Sequence, residues 1–195
     1  MRPSLVLLAG PNGAGKSTLY QNRVAPHFAG PIINADIIQR DELQDPSMEA
    51  SYEAARIAEE RRVEMLGARR SFVSETVFSH PSKLELIGAA RKHGYLVVVM
   101  HVGIENPDLS VGRVRGRAAE GGHDVPEEKI RARYARCQPL IREAVLRADR
   151  GMVFDNSRLN TSPQQMLVFA DGRLIKAASI LPEWILTAYA SDLVI

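Results

Sequence analysis

The sequence Gly10-Pro11-Asn12-Gly13-Ala14-Gly15-Lys16-Ser17 decides the fold of this chain. It matches the pattern Gly-x-x-x-x-Gly-Lys-Ser/Thr at every fixed position, and it follows a continuous apolar stretch, Ser4–Ala9, that is typical of a buried strand. The glycines let the backbone curl so that successive N–H groups face a phosphate, and the helix that begins near Lys16 adds its positive end. The sequence therefore predicts a P-loop, with a purely structural glycine-rich turn as the alternative.

The residues of the predicted P-loop have expected parts in nucleotide binding. The stretch from Gly10 to Thr18 is expected to surround the phosphates of ATP, with GTP as the alternative nucleotide. Lys16 reaches the β- and γ-phosphates, and the hydroxyl of Ser17 binds Mg²⁺. We therefore expect a nucleotide and magnesium as the ligands of this loop.

Composition narrows the function classes. At 195 residues the chain suits one domain, which buries roughly 70% of the surface that an unfolded chain exposes. The net charge of +2 and the aromatic content of 6% argue against a nucleic-acid-binding surface. The apolar runs are shorter than the ~20 residues that span a bilayer, and no leader pattern precedes the first strand, so the predicted location is cytoplasmic. The single cysteine, Cys137, lies on the apolar face of a predicted helix, which favours a structural role over a catalytic one.

Apolar runs and turn residues predict core strands that alternate with helices. The strands are predicted at residues 4–9, 31–34, 71–74, 96–102 and 151–154, and the helices at residues 16–24, 46–69, 81–93, 107–119 and 126–150, the last kinked at Pro139. A C-terminal segment, about residues 164–190, is predicted to hold a β-hairpin around Asp171-Gly172 and a short helix. This order predicts an α/β fold in one domain over residues 1–195. The expected architecture is a parallel sheet of the P-loop NTPase type, covered by helices on both faces, with a small C-terminal hairpin.

Polar side chains follow two of the predicted strands, at the sheet edge where the P-loop also lies. Asp36 comes just after the second strand, and we expect it to act as the general base for an acceptor hydroxyl. Its alternative role is to cap a helical segment at residues 37–42. Glu75 and Thr76 follow the third strand and are candidates for substrate binding, and Glu75 could also support magnesium through water. The alternative for Glu75 is a loop carboxylate in contact with solvent.

Two arginines on a predicted helix are candidates for binding the γ-phosphate. Arg113 and Arg117 are four residues apart and therefore share a helix face, whereas Arg115 points elsewhere and is interpreted as a surface residue. Gly121-Gly122-His123 follows as a glycine-rich break. Together they predict a lid over residues 107–126, with a solvated charged helix as the alternative.

The remaining signals favour a small phosphotransferase. The fourth strand ends in Gly103 and not in the acidic pair that hydrolytic P-loop ATPases usually place there. Asn156 follows the fifth strand, from which P-loop kinases often contact the nucleotide base, and a plain turn is its alternative. A nucleotide-gated ATPase or binding module without a small acceptor, and a kinase of nucleic-acid ends, remain open as alternative functions.

Four segments, taken in order, resemble the zeta-toxin family of P-loop kinases, particularly its compact members. They are residues 9–18, residues 33–36, Phe72–Thr76, and Arg113-Val114 with residues 121–126. The resemblance covers about residues 5–157. It implies a fold similar to nucleoside monophosphate kinases and ATP-dependent phosphorylation of the 3'-hydroxyl of the amino sugar in UDP-N-acetylglucosamine, which poisons cell-wall synthesis. It also implies a small helical antitoxin that blocks the nucleotide site.

The same resemblance assigns roles to individual residues. Asp36 looks like the catalytic base of the family, Lys16 like its phosphate-binding lysine, and Glu75 like its substrate-binding glutamate. Arg113 and Arg117 look like its γ-phosphate arginines. Family members read Glu-Gly-Thr where this chain has Glu75-Thr76-Val77, so this sequence departs from the pattern in the sugar-binding segment.

Overall fold

A seven-stranded sheet forms the centre of the protein, in a computed structural model that describes residues 2–119 and 125–193. The strands are β1 (Ser4–Ala9), β2 (Ile32–Ile33), β3 (Phe72–Thr76), β4 (Leu96–Gly103), β5 (Arg150–Asp155), β6 (Gln164–Ala170) and β7 (Arg173–Ala177). Their order across the sheet is β2-β3-β1-β4-β5-β6-β7. The first five are parallel, and β6 and β7 are antiparallel additions. The predicted α/β class and the C-terminal hairpin are confirmed.

Helices connect the parallel strands, because neighbouring parallel strands need a crossover connection. The connecting helices are α1 (Lys16–Leu19), α2 (Ala35–Ile37), α3 (Met48–Gly67), α4 (Ser82–Lys92), α5 (Pro107–Ala119) and α6 (Glu127–Arg147), and a further helix, α7 (Glu183–Ala188), follows β7. Wider π-helical turns continue α1 over Tyr20–Val24 and α2 over Ile38–Leu43. Helix α6 runs through Pro139.

The predicted end of α6 at residue 150 was wrong. The helix stops at Arg147 because Ala148 already has an extended backbone, with φ −77° and ψ 156°. The carboxylate of Asp149 then accepts a hydrogen bond of 2.8 Å from the backbone N–H of Val97, at the start of β4. This bond draws the chain into the sheet, so that β5 begins at Arg150.

The core divides along the two faces of β1, because alternate side chains of a strand point to opposite sides. Leu5 and Leu7 lie on one face, in the cluster that helices α3, α4 and α6 contribute to. Val6 and Leu8 lie on the other, where the cover comes from α1 and its continuation. Burial of one such leucine contributes about 2 kcal/mol to folding. Cys137 is fully buried in the first cluster, as its sequence position predicts.

The C-terminal segment packs against the last parallel strands. Asp171 and Gly172 both have positive φ, at 48° and 76°, as a tight hairpin turn between two twisted strands requires. Helix α7 follows and buries Trp184, while Tyr189 is fully buried just after its end. Within residues 2–119 and 125–193, no helix is both long and apolar enough to cross a membrane.

Candidate active site

The P-loop lies between β1 and α1, at the carboxyl edge of the sheet. Gly15 has φ +95°, and a Cβ atom there would stand 2.2 Å from the side-chain nitrogen of Asn156. A Cβ atom on Gly10 would stand 2.3 Å from the carbonyl oxygen of Val102. Both positions therefore require glycine, because the loop passes directly over its neighbours. Pro11, Asn12 and Ala14 are buried within the same turn, whereas Ser17 and Thr18 are exposed at its open side.

Lys16 lies inside this loop. Its Nζ donates to the carbonyl oxygens of Gly10 at 3.0 Å and Pro11 at 3.1 Å, and only 7% of the residue is exposed. The ammonium group is therefore held at the centre of the curl by backbone oxygens. Glu75 is the nearest carboxylate, with Oε1 3.9 Å from the nitrogen.

Glu75 is an inward-facing strand residue, and the alternative of a solvent-exposed loop carboxylate is wrong. The predicted strand stopped at Ser74, whereas β3 continues to Thr76 and pairs with Ala9 at the end of β1. The Glu75 side chain is 10% exposed. Burial raises the pKa of this carboxyl group, and the nearby charge of Asp36 raises it further, whereas Lys16 opposes the shift.

The hydroxyl of Ser17 points at the same carboxylate. Its Oγ lies 3.5 Å from Oε2 of Glu75, so two side-chain oxygen atoms lie side by side next to the P-loop. A hard cation such as Mg²⁺ prefers oxygen ligands of this kind and keeps several waters or phosphate oxygens. Among the residues that the structure describes, no group of three or more His, Cys, Asp or Glu side chains could hold a metal ion. The Ser17 hydroxyl and the Glu75 carboxylate fit a cation that takes its other ligands from water or from a nucleotide.

Asp36 lies in the first turn of α2, and the alternative that it caps this segment is wrong. The cap is Asn34, whose side-chain oxygen accepts a hydrogen bond of 2.8 Å from the N–H of Asp36. The Asp36 side chain is thereby left free of a capping task and is exposed near Glu75. Thr76 is only partly buried, and its hydroxyl accepts a hydrogen bond of 3.1 Å from the N–H of Phe78.

Arg113 is held against the P-loop by backbone carbonyl groups. Its guanidinium donates to the oxygens of Asn156 at 2.8 Å and Gly13 at 3.3 Å. Burial lowers its pKa, and the negative charge of Asp155 opposes that shift. Arg113 is therefore not freely solvated, as the alternative of a solvated charged helix would require. Arg115 instead pairs with Glu127 at the surface, as interpreted from its spacing.

Part of the predicted lid lies outside the described residues. The backbone of Arg117 belongs to α5, but its side chain is not among those described, and neither are residues 120–124, which include Gly121-Gly122-His123. The pairing of Arg113 with Arg117 therefore stays a prediction.

Two residues that contact the P-loop were missed by the sequence reading. Arg133 of α6 donates to Oδ1 of Asn12 at 3.3 Å. Ser110 of α5 is fully buried, and its hydroxyl donates to the backbone oxygen of Asn12. Arg133 is one of several arginines on α6, and helix spacing alone does not show which of them meets the P-loop.

Asn156 supports the P-loop from the side of β5. Its Nδ2 donates to the backbone oxygen of Ala14 at 2.8 Å, and its own N–H donates to Gly103 at 2.9 Å. The residue is 8% exposed. Its predicted contact with a nucleotide base stays a prediction, whereas its contact with the loop is direct.

These features define a class of protein. Five parallel strands in the order β2-β3-β1-β4-β5, with a P-loop after β1, form a P-loop kinase-like α/β fold. Residues 5–140 match the AAA domain family, and the chain belongs to that family. An uncharacterized protein of Haemophilus influenzae is 27% identical over 136 residues, which are 69% of this chain and 94% of that protein.

Three solved structures illustrate the likeness in fold. The chain matched in the AvrRxo1-ORF1:-ORF2 complex has a TM-score of 0.74 at 16% identity over 98% of this chain. The PezAT toxin-antitoxin system of Streptococcus pneumoniae gives 0.60 at 17% identity, over 80% of this chain and 69% of that one. Shikimate kinase from Acinetobacter baumannii gives 0.53 at 18%, over 82% and 86%. This chain spans 66% of the matched chain in the AvrRxo1 complex.

Proposed function

We propose that this protein is an ATP-dependent phosphotransferase of the zeta-toxin type, which transfers the γ-phosphate to a hydroxyl group of a small molecule. The observation that carries the proposal is the convergence of two carboxylates with the P-loop. Glu75 lies 3.9 Å from the Lys16 nitrogen and 3.5 Å from the Ser17 hydroxyl, and the exposed Asp36 is close enough to shift the pKa of Glu75. A protein that only binds a nucleotide needs no exposed base beside its phosphates.

The chemistry assigns different tasks to the two carboxylates. Asp36 is exposed to an incoming acceptor, and as the general base it takes the proton of the acceptor hydroxyl. The acceptor oxygen forms a bond to the γ-phosphorus, and the bond from that phosphorus to the β–γ bridging oxygen breaks, so that ADP leaves with the electron pair. Glu75 is buried beside Ser17, which suits it to orient water around Mg²⁺.

Cationic side chains complete the site. Lys16 is positioned at the centre of the P-loop, where β- and γ-phosphate oxygens bind in this motif. Arg113 and Arg133 approach the loop from α5 and α6, and their guanidinium groups are suited to the charge that spreads over the transferred phosphoryl group. Magnesium, when bound through Ser17, would neutralise charge on the same oxygens.

The leading acceptor is UDP-N-acetylglucosamine, on the strength of the sequence resemblance. The decisive experiment incubates the purified protein with magnesium, γ-labelled ATP and this sugar nucleotide, and follows the label into the product. Lys16→Ala should abolish transfer. Asp36→Asn should reduce turnover by at least ~100-fold while ATP still binds, since general-base catalysis contributes about this much. Asp41→Asn is the matched control, because Asp41 is an exposed carboxylate in the next turn that pairs with its neighbour Arg40.

The outcomes separate the competing functions. Label in the sugar nucleotide that disappears in Lys16→Ala supports the proposal in full. ATP turnover that depends on a different metabolite would keep the phosphotransferase and replace the acceptor. Turnover that no added metabolite changes would favour a nucleotide-gated ATPase, and unchanged transfer in Asp36→Asn would remove Asp36 from the mechanism.

A small protein partner is the second part of the proposal. The structures with similar folds include a toxin-antitoxin system and a two-protein complex, and the exposed edge at Ser17 and Thr18 offers a surface that such a partner would cover. Expression of the wild-type chain alone should slow bacterial growth, and Asp36→Asn should relieve the effect. Equal growth in both cases would argue against a toxin.

A further inference from the structure

A tryptophan on the C-terminal helix contacts the strand that supports the P-loop. The indole Nε1 of Trp184 donates to Oδ1 of Asp155 at 2.7 Å, and both residues are buried, at 4% and 9% exposure. The hydroxyl of Ser157 donates to the same carboxylate oxygen at 2.5 Å and accepts from the N–H of Glu105 at 2.9 Å. The end of β5 is therefore fixed by three hydrogen bonds.

The residue after Asp155 carries this constraint to the phosphate-binding loop. Asn156 donates from its backbone to Gly103 and from its side chain to the oxygen of Ala14. Its own carbonyl oxygen accepts a hydrogen bond from Arg113. Among the side chains that the structure describes, the buried Oδ1 of Asn156 has no partner, so the amide is oriented only by its Nδ2 and its backbone.

The packing along this path is close at both ends. A Cβ atom at Gly103 would stand 2.2 Å from the indole ring of Trp184, and one at Gly15 would stand 2.2 Å from the amide nitrogen of Asn156. The imidazole of His101 packs edge-on against the same indole, with 5.3 Å between ring centroids. If the indole or the end of β5 moved, the close packing would leave little space to absorb the movement, and the P-loop would therefore move as well.

We propose that Trp184 is a positioning residue for the P-loop, acting through Asp155 and Asn156. Its N–H fixes the Asp155 carboxylate and the following peptide, which keeps the Asn156 amide on Ala14 and the loop N–H groups directed at the phosphates. The match to the AAA domain family ends at residue 140, so Trp184 lies in a segment that the family match does not cover. The expected rise in the KM for ATP rests on the proposed function, whereas the expected loss of nucleotide affinity needs only the P-loop.

The test compares two variants of the same C-terminal segment. Trp184→Phe removes the indole N–H and keeps an aromatic ring. Tyr189→Phe removes a hydroxyl that bonds His101 at 2.8 Å and leaves in place the hydrogen bonds from Trp184 to Asp155 and from Asn156 to Ala14. Titration with a fluorescent ATP analogue gives the dissociation constant without any phosphate acceptor. The analogue is excited directly and not by energy transfer from tryptophan, because Trp184 is the only tryptophan and one of the variants removes it. We expect about tenfold weaker binding for Trp184→Phe and a change within about twofold for Tyr189→Phe, at a temperature where both are folded.

A second pair keeps the test decisive if Trp184→Phe does not fold. Asp155→Asn retains an oxygen that accepts the indole N–H, and should keep the affinity within about twofold. Asp155→Ala removes it and should weaken binding about tenfold. In a phosphotransferase assay the loss should appear mainly in the KM for ATP. Wild-type affinity in Asp155→Ala or Trp184→Phe would overturn the proposal, and so would equal weakening in Tyr189→Phe, because it would assign the effect to packing alone.

Discussion

Acidification should destabilise this protein through one buried histidine. His101 lies on β4 with no exposed surface, its Nδ1 shares a hydrogen bond of 2.8 Å with the Tyr189 hydroxyl, and its ring packs against Trp184. Burial lowers its pKa to about 3, because the charged imidazolium would lose its hydration. In the unfolded chain the same side chain titrates near its ordinary pKa of about 6.5.

The size of the effect follows from the difference in bound protons. Between about pH 6.5 and pH 3 the unfolded chain holds a proton on His101 and the folded protein does not, so stability falls as the pH decreases. The slope approaches about 1.4 kcal/mol per pH unit, which gives about 2 kcal/mol between pH 6.5 and pH 5. This value holds for any folded-state pKa well below 5. Above about pH 7 the contribution is constant, because His101 is neutral in both states.

Urea unfolding at several pH values measures this loss directly, and a matched pair isolates it. Tyr189→Phe retains His101, and the double variant with His101→Phe removes the titrating group without leaving the tyrosine hydroxyl unpaired. The free energy of unfolding of Tyr189→Phe should fall by about 2 kcal/mol more than that of the double variant between about pH 6.5 and pH 5. Equal pH dependence of the two would refute a neutral, buried His101. Carboxylate titrations cancel in the comparison.

Three further predictions concern the P-loop and its surroundings. Gly15→Ala should weaken nucleotide binding more than about tenfold and lower the free energy of unfolding by at least ~1 kcal/mol, because the new methyl group meets Asn156 at positive φ. Titration with a fluorescent nucleotide measures the first effect and urea unfolding the second, and wild-type values would contradict the loop geometry. Arg133→Met should reduce phosphoryl transfer by at least ~100-fold, while Arg136→Met, an exposed neighbour on α6, should leave it unchanged; equal rates would exclude Arg133 from the site. Burial raises the pKa of the Cys137 thiol to about 11, so near pH 8 only about one molecule in a thousand carries a thiolate. A thiol reagent should therefore react slowly until urea unfolds the chain, and fast labelling of the folded protein would contradict the burial of Cys137.

The fold and the P-loop could be predicted because their signals are local. The Gly-Lys-Ser pattern fixes its own backbone conformation, and apolar runs followed by turn residues place strands and helices in order along the chain. The hairpin at Asp171-Gly172 is read in the same way, because only residues that tolerate positive φ suit its two central positions. None of these inferences requires knowledge of how distant elements pack.

Contacts between elements could not be predicted in the same way. Helix α6 carries several arginines, and their spacing does not show which one meets the P-loop; they are Arg131, Arg133, Arg136, Arg142 and Arg147. The choice of Arg133 depends on how α5 and α6 pack on each other, through contacts that join residues far apart in sequence. Asn156 was singled out for its position after β5, but its hydrogen bond to Ala14 depends on the same packing.

The polar end of β3 shows why the end of this strand could not be predicted from the sequence. Ser74, Glu75 and Thr76 are not typical of a buried parallel strand, so the predicted strand stopped before Glu75. The ladder nevertheless continues to Thr76, because β1 pairs with it up to Ala9 and the P-loop covers the end of the sheet. The local preference for apolar residues is broken at this point, where Glu75 lies beside Ser17.

The C-terminal segment shows a different limit of sequence reasoning. A hairpin and a short helix after the last parallel strand look like an edge extension, because all the predicted phosphate-binding residues precede them in the sequence. Their contribution depends on Trp184, whose ring occupies the space above Gly103 and whose N–H reaches Asp155. A P-loop binds phosphate with backbone N–H groups, so its affinity depends on how firmly the backbone is held, and the residues that hold it need no chemistry of their own. Nucleotide affinity in this chain should therefore respond to substitutions outside the matched family segment whenever they change the contact between Asn156 and Ala14.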